Sequence, residues 1–195
     1  MHLKKTASAL FLALASLASS AGATVIGFDD IRYVNGDPAA LANGYLGFDW
    51  NNFWSSRASY NYDLGNGLVS GSNVGFTYSA SSVTSFSRTA AFTFNSVNIA
   101  KMYYDGLTHF EGYAGDTLVY SKDVFAAHGV SSVATFNWTG ITRVNVSILD
   151  GSERVVFDDL TVNEQVSAVP EPASISLILA GLGLAGVAGK RRKKA

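Results

Sequence analysis

Between residues 24 and 169, short runs rich in aromatic and β-branched residues alternate with clusters of Gly, Asn, Asp and Ser. No apolar pattern with the 3.6-residue period of an amphipathic helix extends through this part of the chain. Short runs of this composition, bounded by turn-forming residues, are typical of β-strands. In residues 143–148 polar and apolar residues alternate strictly, which predicts a strand with one buried face and one face in water.

This pattern predicts an all-β fold, a jelly-roll-like antiparallel β-sandwich, because eight or nine short strands at regular spacing favour that architecture. Ala114-Gly115-Asp116 predicts the tight turn of a hairpin, and the serine-rich segment Ser79–Ser87 predicts a surface loop. The predicted strands are Val25–Ile31, Leu46–Phe53, Leu68–Tyr78, Ala90–Ile99, Leu107–Tyr113, Thr117–Phe125, Ser132–Trp138, Arg143–Leu149 and Val155–Val162.

The N-terminal end has a different pattern, that of a secretory signal peptide over residues 1–23. A basic head precedes an apolar run from Ala7 to Ala18, and Ala21-Gly22-Ala23 follows with small residues at alternate positions. Cleavage is expected after Ala23, with Ala21 as the alternative. The run has no polar face to present to solvent, which disfavours a helix of the folded domain.

The C-terminal end predicts a membrane-spanning helix at residues 173–189. Seventeen uncharged residues form a helix of about 26 Å, just enough for a bilayer core of about 30 Å. Five basic residues follow and hold the C-terminus in the cytoplasm: Lys190, Arg191, Arg192, Lys193 and Lys194. The β-sandwich domain is therefore expected over residues 24–162, with a short tether at 163–169.

Directly before the apolar run stands Pro170-Glu171-Pro172, and the two prolines keep this segment extended and without two backbone donors. The tripeptide, the spanning segment and the basic tail together resemble a PEP-CTERM sorting signal over residues 170–195. The resemblance implies a Gram-negative bacterium, a transient inner-membrane anchor, and an exosortase that processes the chain near the tripeptide. It also implies delivery to the cell surface or to an exopolysaccharide matrix.

Removing both ends changes the charge of the protein. The whole chain carries a net charge of −1, whereas residues 24–169 contain seven basic and fourteen acidic residues, a net charge of −7. Nucleic acids and anionic lipids bind basic surfaces, so this balance argues against both as partners. It is compatible with cations or neutral glycans as ligands.

The sequence Phe-Asp-Asp followed by Ile or Leu occurs twice, at the start and at the end of the predicted domain. In jelly-roll sandwiches the first and last strands commonly lie side by side, which would gather four carboxylates at one sheet edge: Asp29, Asp30, Asp158 and Asp159. Ca²⁺ prefers several oxygen ligands, so these residues are a candidate structural Ca²⁺ site. Alternatively, they are solvated acids at strand ends beside core phenylalanines.

Several short segments of the body resemble an exported module that often precedes this sorting signal. That resemblance implies a β-sandwich similar to carbohydrate-binding modules. The segments are Gly27–Asp30, Gly47–Phe53, Asn66–Val74, Phe92–Ile99 and Val156–Thr161.

Recognisable catalytic patterns are missing from the chain, which has no cysteine, no nucleophile elbow and no zinc-binding His-Glu-x-x-His. The absence of cysteine also means that no disulfide stabilises the domain. His109 and Glu111 are two apart in a predicted strand and therefore share a face, as a surface polar pair or as an acid/base pair. His128 lies in a turn and receives no role. We expect a protein that is not an enzyme.

One stretch concentrates aromatic residues beside amides and charges, from Trp50 to Asp63. Sugars stack on aromatic rings while their hydroxyls bind polar groups, so Trp50, Trp54, Tyr60 and Tyr62 are candidate ligand residues. Alternatively, these rings fill the core. Tyr103-Tyr104-Asp105-Gly106 is a second candidate.

The leading hypothesis for the function is a non-catalytic glycan- or exopolysaccharide-binding module. The alternatives are a matrix protein without a small ligand and a polysaccharide hydrolase.

Overall fold

The computed structural model describes residues 22–34, 36–79, 82–149 and 154–164. Residues 1–21 of the predicted signal peptide, the tripeptide at 170–172, the apolar run at 173–189 and the basic tail at 190–194 lie outside these ranges. Within them, no helix is long and apolar enough to cross a membrane.

The described part of the chain is an all-β sandwich built from antiparallel strands, which confirms the predicted class. The strands are β1 (Thr24–Ile26), β2 (Ala39–Ala40), β3 (Asp49–Asn51), β4 (Phe53–Arg57), β5 (Asn73–Thr77), β6 (Thr84–Lys101), β7 (Gly106–Ala114), β8 (Thr117–Ala126), β9 (Ser132–Ile148) and β10 (Val155–Val162). A short helix, α1 (Tyr62–Gly65), and two 3-10 turns lie between β2 and β5.

Two long strands, β6 and β9, pair with each other and take part in both halves of the sandwich. Their central residues are out of regular register, and Asn137 and Gly140 on β9 have positive φ angles. The first half of β6 lies beside β3 and the second half of β9 beside β7, which continues to β8. The second half of β6 lies beside β10, which continues through β5 and β4 to β2. The irregular middle of this β6–β9 ribbon therefore joins the two halves.

The core between the two halves is aromatic. The ring centroids of Trp50 on β3 and Phe53 on β4 are 4.9 Å apart, and those of Phe110 on β7 and Phe136 on β9 are 4.7 Å apart. Rings are large apolar side chains that bury much surface per residue. They supply the packing that a cysteine-free exported domain requires.

A second, smaller cluster covers the outer face of β4, β5 and β10. Ala58 and Leu64, from the segment between β4 and β5, pack with Val74, Phe76 and Val156. The segment that contains α1 is thereby fixed on the sheet, and its polar and aromatic residues face outward.

Several predicted strand limits are wrong because turns interrupt the apolar runs. β1 ends at Ile26, since Phe28 has a φ of 63° and accepts a hydrogen bond from the Ile31 amide. The run 46–53 divides at Asn52, whose φ is 53°. In the run 68–78 the strand covers 73–77, and residues 68–72 form a loop.

Two segments that the sequence predicts to lie outside strands are instead parts of strands. Residues 84–87, assigned to a serine-rich loop, begin β6 because Thr84 and Phe86 are buried. The predicted strands 132–138 and 143–149 are one strand, β9, which bends between them and ends at Ile148. β10 has the predicted limits, and the turn at Gly115 and Asp116 joins β7 to β8 as expected.

Candidate functional site

Two exposed tyrosines flank Asn61 in the segment that covers the outer face of β4 and β5. Tyr60 is 58% exposed and Tyr62 is 86% exposed. The Asn61 side chain caps α1 by accepting a hydrogen bond from the Asp63 amide at 2.9 Å. Since Leu64 is buried one turn away, the capped helix holds Tyr62 and Asp63 at the surface.

His128 connects this segment to the turn before β7. Its Nε2 lies 3.6 Å from Oδ1 of Asp63, and its backbone amide donates to Oδ1 of Asp105 at 2.7 Å. Tyr62 precedes Asp63 and Tyr104 precedes Asp105, so the two contacts bring the two tyrosine-containing segments together. We name the six residues Tyr60, Tyr62, Asp63, Tyr104, Asp105 and His128 the tyrosine surface.

The tyrosine rings of this surface are available to a ligand. Tyr104 is 67% exposed, and within the described ranges no aromatic ring or cation stacks on Tyr60, Tyr62 or Tyr104. Free ring faces beside carboxylates and an imidazole combine apolar and polar contacts on one surface. The predicted candidates at 60–62 and at 103–106 thus belong to one place.

The two predicted tryptophans are in other surroundings. Trp50 is 6% exposed in the main core, where its Nε1 donates to the Tyr45 carbonyl at 3.0 Å. Trp54 is half-buried and stacks on Tyr78 at 4.2 Å, and the Arg154 guanidinium lies 5.4 Å from the Tyr78 ring. Trp50 is buried and Tyr78 covers one face of Trp54, so we leave both tryptophans out of the tyrosine surface.

The repeated Phe-Asp-Asp segments lie close together, because β1, which ends just before the first of them, pairs with β10, which contains the second, as expected for the first and last strands. Their first aspartates hold one loop by its backbone. Oδ2 of Asp158 accepts hydrogen bonds from the amides of Val69 and Ser70 at 2.7 and 2.9 Å. Oδ1 of Asp29 accepts from those of Ser72 and Asn73 at 2.6 and 3.0 Å. Two of the four predicted metal ligands therefore fix the loop 69–73.

The environment of Asp158 agrees with that structural role. Its side chain is fully buried, and burial raises the pKa of its carboxyl, although the hydrogen bonds from Ser70 and Val69 oppose the shift. A buried carboxylate needs hydrogen-bond donors, and the backbone amides of Val69 and Ser70 supply them here.

The other two aspartates line a shallow pocket of about 410 Å³ together with Asp29. Asp30 accepts a hydrogen bond from the Tyr45 hydroxyl at 2.6 Å, and Asp159 accepts one from the Ser70 hydroxyl at 2.7 Å. Burial, followed by the Asp30 contact, raises the pKa of the Tyr45 hydroxyl. Among the described residues, no group of three His, Cys, Asp or Glu is arranged to hold a metal ion. The Ca²⁺ site stays a prediction.

His109 and Glu111 share the outer face of β7, as their spacing predicts, with Nε2 and Oε1 3.7 Å apart. The structure adds Asp123 on β8, whose Oδ1 is 2.5 Å from Nδ1 of His109. Glu111 also accepts a hydrogen bond from the Tyr113 hydroxyl at 2.9 Å. The result is a row of polar contacts along the surface of the sheet.

Sequence reasoning missed His128 and Arg143. His128 is an isolated histidine in a turn, and no local pattern links it to Asp63 or Asp105. Arg143 was recognised as one of the polar residues of an alternating strand, without any sign of its neighbours on adjacent strands. Such partners are set by sheet register.

Comparison with known proteins identifies the C-terminal end. Residues 168–193 match the PEP-CTERM protein-sorting motif. This motif implies export toward the cell surface and processing by an exosortase. The match confirms the predicted sorting signal and includes none of the residues of the folded domain.

The body has less informative matches. No curated protein matches the chain. Among solved structures, the chain is similar to a cleaved adhesin domain of Lys-gingipain (Kgp), with 10% sequence identity and a TM-score of 0.43. That alignment covers 72% of this chain and 97% of the other. A likeness at this level gives no information on ligand or activity.

Proposed function

We propose that the β-sandwich domain is a non-catalytic binding module for neutral glycans, presented at the cell surface or in the extracellular matrix. The observation that supports this most is the contact of His128 with both Asp63 and Asp105, which places exposed tyrosines from two separate segments on one surface. Glycan binding by stacking needs several such rings close together.

The chemistry of the tyrosine surface suits a sugar chain. The C–H faces of pyranose rings pack on aromatic rings, and the hydroxyls donate to carboxylates such as Asp63 and Asp105. Because both carboxylates are already oriented by His128, less ordering is needed on binding. The two carboxylates of this surface, Asp63 and Asp105, favour neutral sugars here over anionic ones.

We further propose the route by which the domain reaches its place of action. The signal peptide at 1–23 starts export, and the segment 173–189 holds the chain in the inner membrane with residues 190–194 in the cytoplasm. Exosortase then cleaves near Pro170-Glu171-Pro172. The sorting motif at 168–193 supports this sequence of steps.

The test is calorimetric titration of the full chain with a panel of neutral oligosaccharides, in a detergent without a sugar headgroup. We expect Tyr62→Ala and Tyr104→Ala each to weaken binding roughly tenfold, since one stacked ring contributes about 1.4 kcal/mol or slightly less. Tyr62→Phe keeps the ring and should bind within about twofold of the wild type.

Phe125→Ala is the matched control, because Phe125 is an exposed ring (60%) on β8 outside the tyrosine surface. Its affinity should equal that of the wild type. Two results would contradict the proposal: no binding to any member of the panel, or wild-type affinity in both tyrosine-to-alanine variants. The second result would place the glycan elsewhere.

A further inference from the structure

A row of four outward side chains crosses the other half of the sandwich, on strands β3, β6, β9 and β7. Asp49 is opposite Ser87, Ser87 is opposite Arg143, and Arg143 is opposite Tyr113. Directly opposite residues on neighbouring strands have their Cβ atoms about 5 Å apart, so the row is continuous.

The Arg143 guanidinium lies over the ring of its neighbour Tyr113. Its guanidinium carbon is 4.4 Å from the centre of the Tyr113 ring, a short cation–π contact. No side chain or backbone oxygen among the described residues accepts a hydrogen bond from this guanidinium, and no carboxylate pairs with it. The five N–H donors of this guanidinium are therefore available to a ligand.

The Tyr113 side chain under Arg143 is itself held in place by hydrogen bonding. The Tyr113 hydroxyl donates to Oε2 of Glu111 at 2.9 Å, and Glu111 lies beside His109. That hydrogen bond is also the main cause that raises the pKa of the Tyr113 hydroxyl. The orientation of the guanidinium is thus set before any ligand arrives.

The Arg143 side chain lines an open cleft of about 390 Å³, and hydroxyls and carboxylates line the same cleft. Ser87, Thr89 and Thr142 contribute the hydroxyls, and Asp49 and Asp116 contribute the carboxylates. The second arginine of the cleft, Arg88, is engaged by the carbonyls of Ala90 and Ala91 and by the Asn163 side chain. Arg143 is therefore the cation with donors to spare.

We propose that this cleft binds a carboxylate-bearing sugar, such as a uronic acid residue of an acidic polysaccharide. The guanidinium receives the carboxylate in a two-point contact. The carboxylates of Asp49 and Asp116 accept hydrogen bonds from the sugar hydroxyls, and the same two charges repel small anions that have no hydroxyl to donate. The inference is separate from the proposed glycan function of the tyrosine surface.

The two sites can be tested independently because they lie at opposite ends of β7. Asp105 of the tyrosine surface precedes the strand, and Tyr113 is near its end. Eight residues of extended strand separate them by roughly 27 Å. A substitution in one site should not change the other directly.

The experiment titrates the full chain in detergent with trigalacturonate, its methyl ester and sulfate, using calorimetry. We expect trigalacturonate to bind and its uncharged methyl ester to bind at least tenfold more weakly. Arg143→Ala should reduce trigalacturonate affinity at least tenfold. Arg143→Lys should also lose several-fold, because an ammonium keeps the charge but not the planar fork.

Arg32→Ala is the control, because Arg32 is exposed, lies outside the cleft and carries the same charge. It should bind as the wild type does, and Tyr62→Ala should also retain trigalacturonate. If Arg143→Ala unfolds, Arg143→Lys alone decides the outcome. The proposal is overturned if the ester binds equally, if sulfate competes for the cleft, or if the folded Arg143 variants keep wild-type affinity.

Discussion

At the scale of single residues, the repeated Phe-Asp-Asp segments show how one carboxylate can organise a loop. Asp29 reaches the amides of Ser72 and Asn73 by passing over Gly71. A Cβ atom on Gly71 would lie 1.9 Å from Oδ2 of Asp29, and the residue has a φ of 59°. The aspartate and the glycine therefore depend on each other.

Gly71→Ala should destabilise the domain more than Gly115→Ala. Gly115 has nearly the same φ, 61°, but nothing lies within 4 Å of its missing Cβ. Both substitutions pay about 1–2 kcal/mol for the left-handed backbone. Gly71→Ala should cost at least about 1.5 kcal/mol more, because it also displaces a carboxylate from two amides.

Denaturant unfolding of both variants measures this difference in the free energy of unfolding. The same pair made in an Asp29→Ala background provides the control, since no carboxylate is then left to displace. The difference between the two alanine variants should disappear there. If Gly71→Ala and Gly115→Ala destabilise the wild-type domain equally, the mutual dependence of Gly71 and Asp29 is refuted.

At the scale of elements, the end of β10 is attached to β6 by side chains as well as by strand pairing. The buried Asn95 donates to the Glu164 carbonyl at 3.0 Å and accepts from the Glu164 amide at 2.9 Å. Asn163 accepts hydrogen bonds from the Thr93 amide and from Arg88. The last described residues before the sorting motif are thus fixed to the sheet.

Asn95→Ala should release this attachment and lower the free energy of unfolding by about 1–3 kcal/mol, since it removes two hydrogen bonds to the Glu164 backbone, each worth about 0.5–1.5 kcal/mol. Amide hydrogen exchange at residues 162–164 should become faster, while exchange in β7 stays unchanged. Asn98→Ala is the control, because Asn98 is on the same strand and its side chain has no hydrogen bond in the described structure. Unchanged exchange at 162–164 in the Asn95 variant would contradict the prediction and show that strand pairing with β6 is enough to hold these residues on the sheet.

At the scale of the whole molecule, the chain combines a transport signal with a folded module. The signal occupies residues 168–193, and the sandwich ends its last strand at Val162. The module carries both proposed binding surfaces, at opposite ends of β7. One polysaccharide matrix that contains neutral and acidic sugars could engage both.

Replacing Pro170, Glu171 and Pro172 with alanine should stop processing in a host that contains the matching exosortase. Export would still occur, because the N-terminal end is unchanged, but the chain should remain in the membrane fraction at its unprocessed mass. Mass spectrometry of membrane and surface fractions measures this. Alanine at Gln165, Val166 and Ser167, just before the matched region, is the control and should be processed normally; release of the first variant at wild-type mass would contradict the prediction.

The sequence predicts those features whose information is contiguous. The sorting signal is a run of neighbouring residues, and so is β10, whose limits from Val155 to Val162 were predicted correctly. Alternation with a period of two also identified the exposed face of β9 at Arg143. In contrast, the strand limits near Phe28 and Asn52 were missed, because a positive φ angle ends the strand without a change in apolar composition.

Amino-acid order alone therefore determined the sorting signal and the all-β class, since both depend on local composition and spacing. Only the tertiary structure decided which aromatic residues are buried and which are free, placing Trp50 in the core and Tyr62 in water. It also decided that His128 meets Asp63 and that Arg143 lies on Tyr113. These contacts join residues far apart in the chain, and sheet register and loop packing, which no local pattern encodes, bring them together.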